Sequence, residues 1–452
     1  MQKNNSVIVD YTEGNILPQI ITFSVPFMLS ALLQVLYSLV DSIVVGRYVG
    51  SAGLAGVNVA ARITSLVAFC VQGFGSAGQV IISQRIGEKK MDSVRRTIGT
   101  LFTLTTIAAL LCAAICLILC DPILRGLNTP DEAFGSAHDY LFICAFGFIF
   151  VCGYNAACCI LRGSGDSKRP FVIIAAAAVI NLILDVVFVA GMDMGAAGAA
   201  LATVIAQAIS MVLCVGIFYR SRGDYGFAFR LSSFAIDGDS FRLLMKLGIP
   251  LALKSGAISI SALLLNGFIN VYGVAASAAY AVGTKLQQIP SIITQGLFSA
   301  TSTMIGQNIG AEKHDRIKQI VRQTLLICIV SFAVISVIFM LFPAFFFRVF
   351  TSDAEVIEYA TPIMWAMLVG FVASAIMCPY YSVVLGAGVA GFNLAISVFD
   401  GVVLRIGLGL LLGRTMGMGV IGFYLGSNLA AFGTSIPSML YYFSGRWKTR
   451  RL

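Results

Sequence analysis

Asp41 and Asp185 lie inside two long apolar segments, residues 16–45 and 171–190, that otherwise carry no charge. An aspartate near the centre of a membrane helix costs ~2.5–3.5 kcal/mol on insertion scales. A side chain that costly faces a cavity and handles a proton, an ion or a substrate. Asp41 falls four residues before Val45 and Asp185 five before Ala190, so at ~1.5 Å per residue the two acids sit at one depth. Asn181 precedes Asp185 by one helical turn and shares its face. Thr203 lies about eight residues into the segment 195–218, and Gln34 and Tyr37 precede Asp41 by about two turns and one. Carboxylates with amide, hydroxyl and phenol oxygens suit a proton relay or a hard cation such as Na+. Two like charges in a low dielectric repel, so one bound proton or cation relieves the pair.

The elements that position these residues must be membrane helices. Hydrophobic residues make up 58% of the 452 and charged residues 11%, against about 25% charged in an ordinary soluble domain. Apolar segments at 16–45, 54–82, 94–119, 140–160, 171–190, 195–218, 243–270, 277–305, 320–342, 357–384, 392–412 and 418–442 each approach the ~20 residues that a bilayer needs. The expected fold is an all-α membrane protein of about twelve transmembrane helices with no sizeable soluble domain. The first 14 residues are polar and of mixed charge, without the short apolar core of a signal peptide, so the first span is expected to be retained.

A formal charge of +9 could suggest nucleic acid, but its placement points elsewhere. With the N-terminus inside, Lys3, the groups at 85–96, 162–169, 220–246 and 313–322, and the C-terminal Arg446, Lys448, Arg450 and Arg451 all fall on one side. The other side keeps Arg47, Arg125, Arg348 and Arg414. Positive charge collects in cytoplasmic loops, which makes both termini cytoplasmic and the expected location the cell membrane. No nucleic-acid partner is expected. The 11 cysteines sit mostly within apolar spans, Cys112, Cys116 and Cys120 at helical spacing; none has the spacing of a metal or disulfide framework, and they are expected to be packing residues. His138 and His314 lie in or beside loops and are expected to be solvated.

Shifted by 223 residues, the chain matches itself. Gln72, Gly73, Ser76, Ala77, Ile82, Gln84, Ile86, Gly87 and Lys90 align with Gln295, Gly296, Ser299, Ala300, Ile305, Gln307, Ile309, Gly310 and Lys313, and Gly163 and Gly165 with Gly386 and Gly388. After a one-residue slip Pro26, Tyr48, Gly195 and Gly198 match Pro250, Tyr272, Gly419 and Gly422. Two homologous six-helix lobes follow, 1–219 and 247–452, joined by a charged cytoplasmic linker, 220–246, expected to hold a short amphipathic helix. An even number of spans gives the repeats one orientation, with a site between them and a rocking motion. Asp41 stands opposite Leu265 and Asp185 opposite Gly409, so shared packing does not require either acid. Pro26 removes a backbone hydrogen bond from the first span and is a candidate hinge, although Pro250 in the matching place makes an architectural kink an equal reading.

The second half is charged differently: Lys254, Lys285 and Arg405 accompany Asp400 within its spans. They either snorkel and pair locally or line a cleft for an anionic or zwitterionic group. With Gln34, Tyr37 and Asn155 they complete the candidate substrate-cavity residues. Gly386, Gly388 and Gly391 have the dinucleotide fingerprint spacing, but no strand precedes them and they join two apolar helices, so they mark a tight turn. The sequence contains no phosphate-binding loop that would support ATP-driven transport, and no nucleophile–base pairing that suggests an enzyme.

Taken together, the residues resemble the multidrug and toxic compound extrusion (MATE) transporters over essentially the whole chain. Pro26, Gln34, Asp41 and the turn 46–50 look like that family's first helix, 84–90 and 305–313 like its paired second and eighth helix ends, and 161–170 like its loop between the fourth and fifth helices. Asp41, Asn181, Asp185 and Thr203 are similar to the cation-coupling residues of the prokaryotic DinF-like branch. The resemblance implies a V-shaped pair of lobes that exports small amphipathic organic compounds by antiport with H+ or Na+ through alternating access. It implies no cofactor, a coupling ion held at those four residues, a lipid environment and a monomer. Other branches carry acids in the second lobe where this chain has Asn266, Lys254 and Lys285, which argues against coupling there. The alternative is a flippase for a lipid-linked saccharide, a related architecture whose cavity cations bind pyrophosphate.

Overall fold

The computed structural model describes residues 8–450 apart from 226, 228 and 229, with the side chains of Cys70 and Leu231 also outside the description. Lys3 and Arg451 lie outside the described residues. Six long helices make up the first half: α1 (Ile16–Tyr48), α2 (Gly50–Gly87), α3 (Met91–Ile118), α4 (Asp131–Gly163), α5 (Lys168–Gly191) and α6 (Gly195–Arg220). The second half holds α7 (Gly238–Asn270), α8 (Val274–Gly310), α9 (His314–Leu341), α10 (Ala360–Gly386), α11 (Ala390–Thr415), and α12 (Gly419–Ala430) followed by α13 (Phe432–Phe443). No strand occurs among the described residues. Ten of these helices are long and apolar enough to cross a membrane. The segments 277–305 and 418–442 are helical as well, the first within α8 and the second broken after Ala430.

Apolar side chains face outward at helical spacing. On α3 these are Leu110, Leu111, Ile115 and Ile118, and on α9 Leu326, Val330, Val334, Val337 and Leu341. A water-facing surface does not carry such continuous stripes. Hydrocarbon covers them at no cost, and the helices satisfy their own backbone polar groups, as a lipid environment demands.

The chain divides into two compact units. One holds Ile8, Val9 and 25–252; the other holds Asp10–Ser24 and the residues from Leu253 onward. Both α1 and α7 therefore change unit along their length, and each does so within two residues of its internal proline, Pro26 or Pro250. A proline leaves the carbonyl one turn earlier without its helical donor, so the break in the ladder coincides with the passage between units. The start of α1 is held in the second unit by polar bonds: Arg316 Nε donates to Tyr11 O at 3.0 Å, Asn308 Nδ2 to the same oxygen at 3.1 Å, and Tyr11 N to Gln307 Oε1 at 2.8 Å.

The duplication extends to backbone detail. Left-handed residues recur as Gly50 and Gly273, Lys89 and Glu312, Gly165 and Gly388, Asp193 and Gly417, Gly195 and Gly419. A π-helical turn follows the same register, Val186–Gly191 in α5 and Leu411–Thr415 in α11. A β-carbon on Gly198 would come within 3.1 Å of Phe188 backbone, and one on Gly422 within 2.6 Å of Leu412 backbone, so both glycines seat the wide turn against the following helix. The turn Gly386–Gly388 joins α10 to α11 with Gly388 at φ +65°.

The linker 220–246 is more than a charged connector. It contains the short helix Arg222–Tyr225, a 3-10 turn Leu231–Phe234 and the start of α7, and it docks on α3. Thr103 Oγ1 donates to Phe234 O at 2.6 Å and Asp237 N to Thr100 Oγ1 at 3.0 Å, while Phe102 packs edge-on against Phe234. Asp237 accepts from the backbone N–H of Ser240, a bond that, with the Ser240 hydroxyl and Arg96, holds its carboxyl below the usual range. A β-carbon on Gly99 would lie 2.0 Å from Ser233 O, too close for anything but displacement. Gly99→Ala is expected to release the linker, read as faster protease cleavage between 226 and 236. Unchanged cleavage would mean that the docking seen here contributes little. His314 also departs from its expected solvation, packing edge-on against Trp447 at 5.6 Å.

Candidate functional site

The first unit gathers Asp41 from α1, Asn181 and Asp185 from α5, and Thr203 from α6. Asp185 ends the regular part of α5, where the π turn Val186–Gly191 begins; wide turns of this kind frequently mark functional positions. Asp185 is 1% exposed and Asn181 2%. The Asn181 amide satisfies both its neighbours when Nδ2 donates to Asp185 Oδ2 at 2.8 Å and its oxygen accepts from Thr203 N at 3.1 Å. Tyr37 and Thr203 hydroxyls stand 3.5 Å apart, and Tyr140 of α4 reaches the same threonine.

Two small cavities open onto this group. One, of about 220 Å³, is lined by Tyr37, Asp41 and Asp185 among apolar residues of α1 and α5. The other, of about 60 Å³, is lined by Gln34, Tyr37, Tyr154, Asn181, Thr203 and Gln207. Drug-sized ligands occupy roughly 300–1,000 Å³. These spaces suit an ion with a few waters rather than an organic substrate. Asp41 Oδ1 and Asp185 Oδ1 are both buried without a hydrogen-bond partner. A buried acceptor left unpaired costs about 1–3 kcal/mol, more when it is charged, so a proton or cation at either oxygen would be stabilised. Carboxylate, amide and hydroxyl oxygens are also the donor types that Na+ takes.

The acid of the second unit has a different environment. Thr434 Oγ1 donates to Asp400 Oδ2 at 2.6 Å and Arg405 lies 3.4 Å from Oδ1. Asp400 is thus partnered on both oxygens, whereas the first-unit pair is not. Lys254 Nζ sits 3.8 Å from the Tyr381 ring centroid and Lys285 Nζ 5.8 Å from that of Phe350. Each cation rests on its own aromatic face, and the described contacts do not bring the two lysines and Arg405 together. Asn155 donates to Val151 O at 2.8 Å and lines neither cavity.

Sequence reasoning passed over Tyr140, Tyr154 and Gln207. Gln207 follows Thr203 by one turn of α6, stands opposite Ala431 in the repeat, and has a buried Oε1 without a partner. The unmatched polar position that singled out the two acids therefore marked Gln207 as well. The tyrosines gave a weaker signal, because phenols are common in membrane helices.

A tandem repeat of lipid-facing helices with paired buried acids in one half defines a polytopic membrane transporter. The chain belongs to the MatE family, whose model matches twice, at residues 26–187 and 250–411, once per repeat. It is accordingly a multi-pass membrane protein and not an enzyme. It is 29% identical over 447 residues to "Probable multidrug resistance protein YpnP" of Bacillus subtilis, covering 98% of each chain. It is 24% identical over 446 residues to "Probable multidrug resistance protein NorM" of Thermotoga maritima, covering 96% of this chain and 93% of that one. Among solved structures, "Crystal structure of MATE in the straight conformation" superposes with a TM-score of 0.90 at 20% identity over 98% of both chains, a likeness of fold.

Proposed function

We propose that the chain exports small amphipathic organic compounds by antiport with H+ or Na+, as a monomer in the cell membrane with both termini cytoplasmic. The lobes 1–219 and 247–452, joined by 220–246, alternate access to the two sides, and Asp41, Asn181, Asp185 and Thr203 carry the coupling ion. The single observation that carries this reading is the pair of buried carboxylates with orphaned oxygens in one pocket of one repeat. The names of the relatives support the substrate class. Either ion is served by these four residues: with its NH2 on Asp185 the Asn181 amide stabilises the empty, ionised carboxylate, and with its oxygen turned inward it accepts from a protonated Asp185 or ligates Na+. The lipid-linked saccharide flippase is the poorer fit, since Lys254 and Lys285 rest on separate rings and Arg405 pairs with Asp400.

The test is expression in a host lacking its own pumps, with growth and efflux measured across chemically varied toxic compounds. Energy-dependent efflux of several unrelated amphipathic compounds is expected; efflux of none, with normal protein abundance, counts against the reading. Topology is tested separately. Ser221→Cys should resist an impermeant thiol reagent in intact cells and react after permeabilisation, against a background of described native cysteines that are buried or half-buried. Labelling from outside would invert the topology.

A further inference from the structure

Cys120, Asp121 and His138 place one ligand atom each within 4.8 Å of one another, at the end of α4 opposite Arg162. We propose that they form a binding site for a borderline-soft divalent cation, Zn2+ in the first instance. The two elements involved are held firmly. The short helix Cys120–Gly126 buries Cys120 and Leu124, Thr129 Oγ1 donates to Leu124 O at 2.7 Å, and Arg125 lies over the Phe134 ring at 5.8 Å. Cys120 is 3% exposed, so its thiol forms the floor of the site and the half-exposed imidazole and carboxylate form its mouth.

The donor set is thiolate, imidazole and carboxylate, which zinc sites use with metal–ligand distances of about 2.0–2.3 Å. Tetrahedral bonds of that length place ligand atoms roughly 3.3–3.8 Å apart, and His138 Nε2 lies 3.7 Å from Asp121 Oδ1. The imidazole is also oriented as metal-bound histidines are. Its other nitrogen, Nδ1, faces Asp139 Oδ1 at 3.4 Å, and the ring stacks on Phe142 with centroids 5.8 Å apart and planes at 15°. A carboxylate on Nδ1 fixes the proton there and leaves the Nε2 lone pair for the cation. A fourth position stays open to water, as the exposure of the mouth requires. Sequence spacing concealed this group, because Cys120 looked like one more member of an apolar stripe and His138 like a solvated loop residue. An ion here would tie the short helix to the start of α4, the helix that carries Tyr140 and Tyr154 to the polar pocket. On the proposed topology it would be taken from outside.

The test uses the purified full-length protein, stripped with chelator and titrated with Zn2+ against a chromogenic competitor. One ion per chain is expected, and Co2+ loaded into the stripped protein in place of Zn2+ should show a thiolate-to-metal charge-transfer band. Cys120→Ser should remove that band, and His138→Gln should weaken Zn2+ binding at least ~10-fold. Asp139→Asn should weaken it by ~10–100-fold, the range for a residue that orients a ligand, whereas Asp92→Asn, at another exposed carboxylate far along α3, should not change it. An elution profile like that of the native protein verifies folding of each variant. Absence of stoichiometric binding, a Co2+ complex without the thiolate band, or equal affinity in native, Cys120→Ser and His138→Gln proteins would overturn the proposal.

Discussion

Asp41→Asn is expected to abolish gradient-driven efflux of a fluorescent substrate while leaving the protein at near-native abundance in the membrane. The substitution keeps the shape of a side chain whose Oδ1 is buried and unpartnered and removes only its capacity to bind a proton or carry charge. Because an uncharged amide is cheaper in a membrane helix than a carboxylate, folding should not suffer. Efflux driven by an imposed ion gradient should fall to the rate of vesicles without the protein. Efflux at the native rate with full dependence on a pH gradient would remove Asp41 from the mechanism. The parallel substitution Asp400→Asn, made where the carboxylate already holds Thr434 and Arg405, should instead impair stability, leaving the half-buried Arg405 guanidinium without its counter-charge. The two variants thus separate a coupling acid from a structural one.

Asp185→Asn carries the second large effect. On the proposed coupling, a proton or Na+ loaded between Asp41 and Asp185 would relieve their repulsion and favour one packing of the lobe against the other, so ion and substrate should oppose one another. Raising external H+ or Na+ is therefore expected to speed release of preloaded substrate from native vesicles. Asp185→Asn should lose that acceleration and still bind substrate, since the cavities at these acids, about 220 Å³ and 60 Å³, are too small for the substrate itself. A cation crossing the full potential contributes ~2.3 kcal/mol per 100 mV. Moving a two-state equilibrium from one side to the other takes ~5.5 kcal/mol, so one or two ions bias the transporter without locking it. Full ion-stimulated release from Asp185→Asn vesicles would make the first-unit acids structural. Running the assay with H+ and with Na+ in turn identifies the ion.

Much of this protein was legible in its residue order, for a physical reason. Lipid leaves few ways to satisfy a backbone, so an apolar run near twenty residues specifies a helix with little help from its neighbours. The matched glycines at 165 and 388 and at 195 and 419 then specify turns, because positive φ favours residues without a β-carbon. Repetition supplied the rest: Asp41 and Asp185 stood out because Leu265 and Gly409 occupy the matching places. Depth along a helix is also one-dimensional, so the common level of the two acids could be counted.

What the order of residues could not decide was rotation about each helix axis and contact across helices. Only the folded chain shows that Thr203 meets Tyr37 and that the Asn181 amide lies between Asp185 and Thr203. The same holds for Asp400, whose partner Thr434 lies on another helix, and for the linker, whose docking depends on a carbonyl meeting Gly99. Cys120 and His138 are the plainest case. Each looked unremarkable in its own segment, and a possible ligand set arises only where the turn after α3 folds back onto α4. Sequence fixes the kind of helix and its depth through local, repeating interactions, while the facing of side chains is a collective outcome of packing that only the tertiary structure decides.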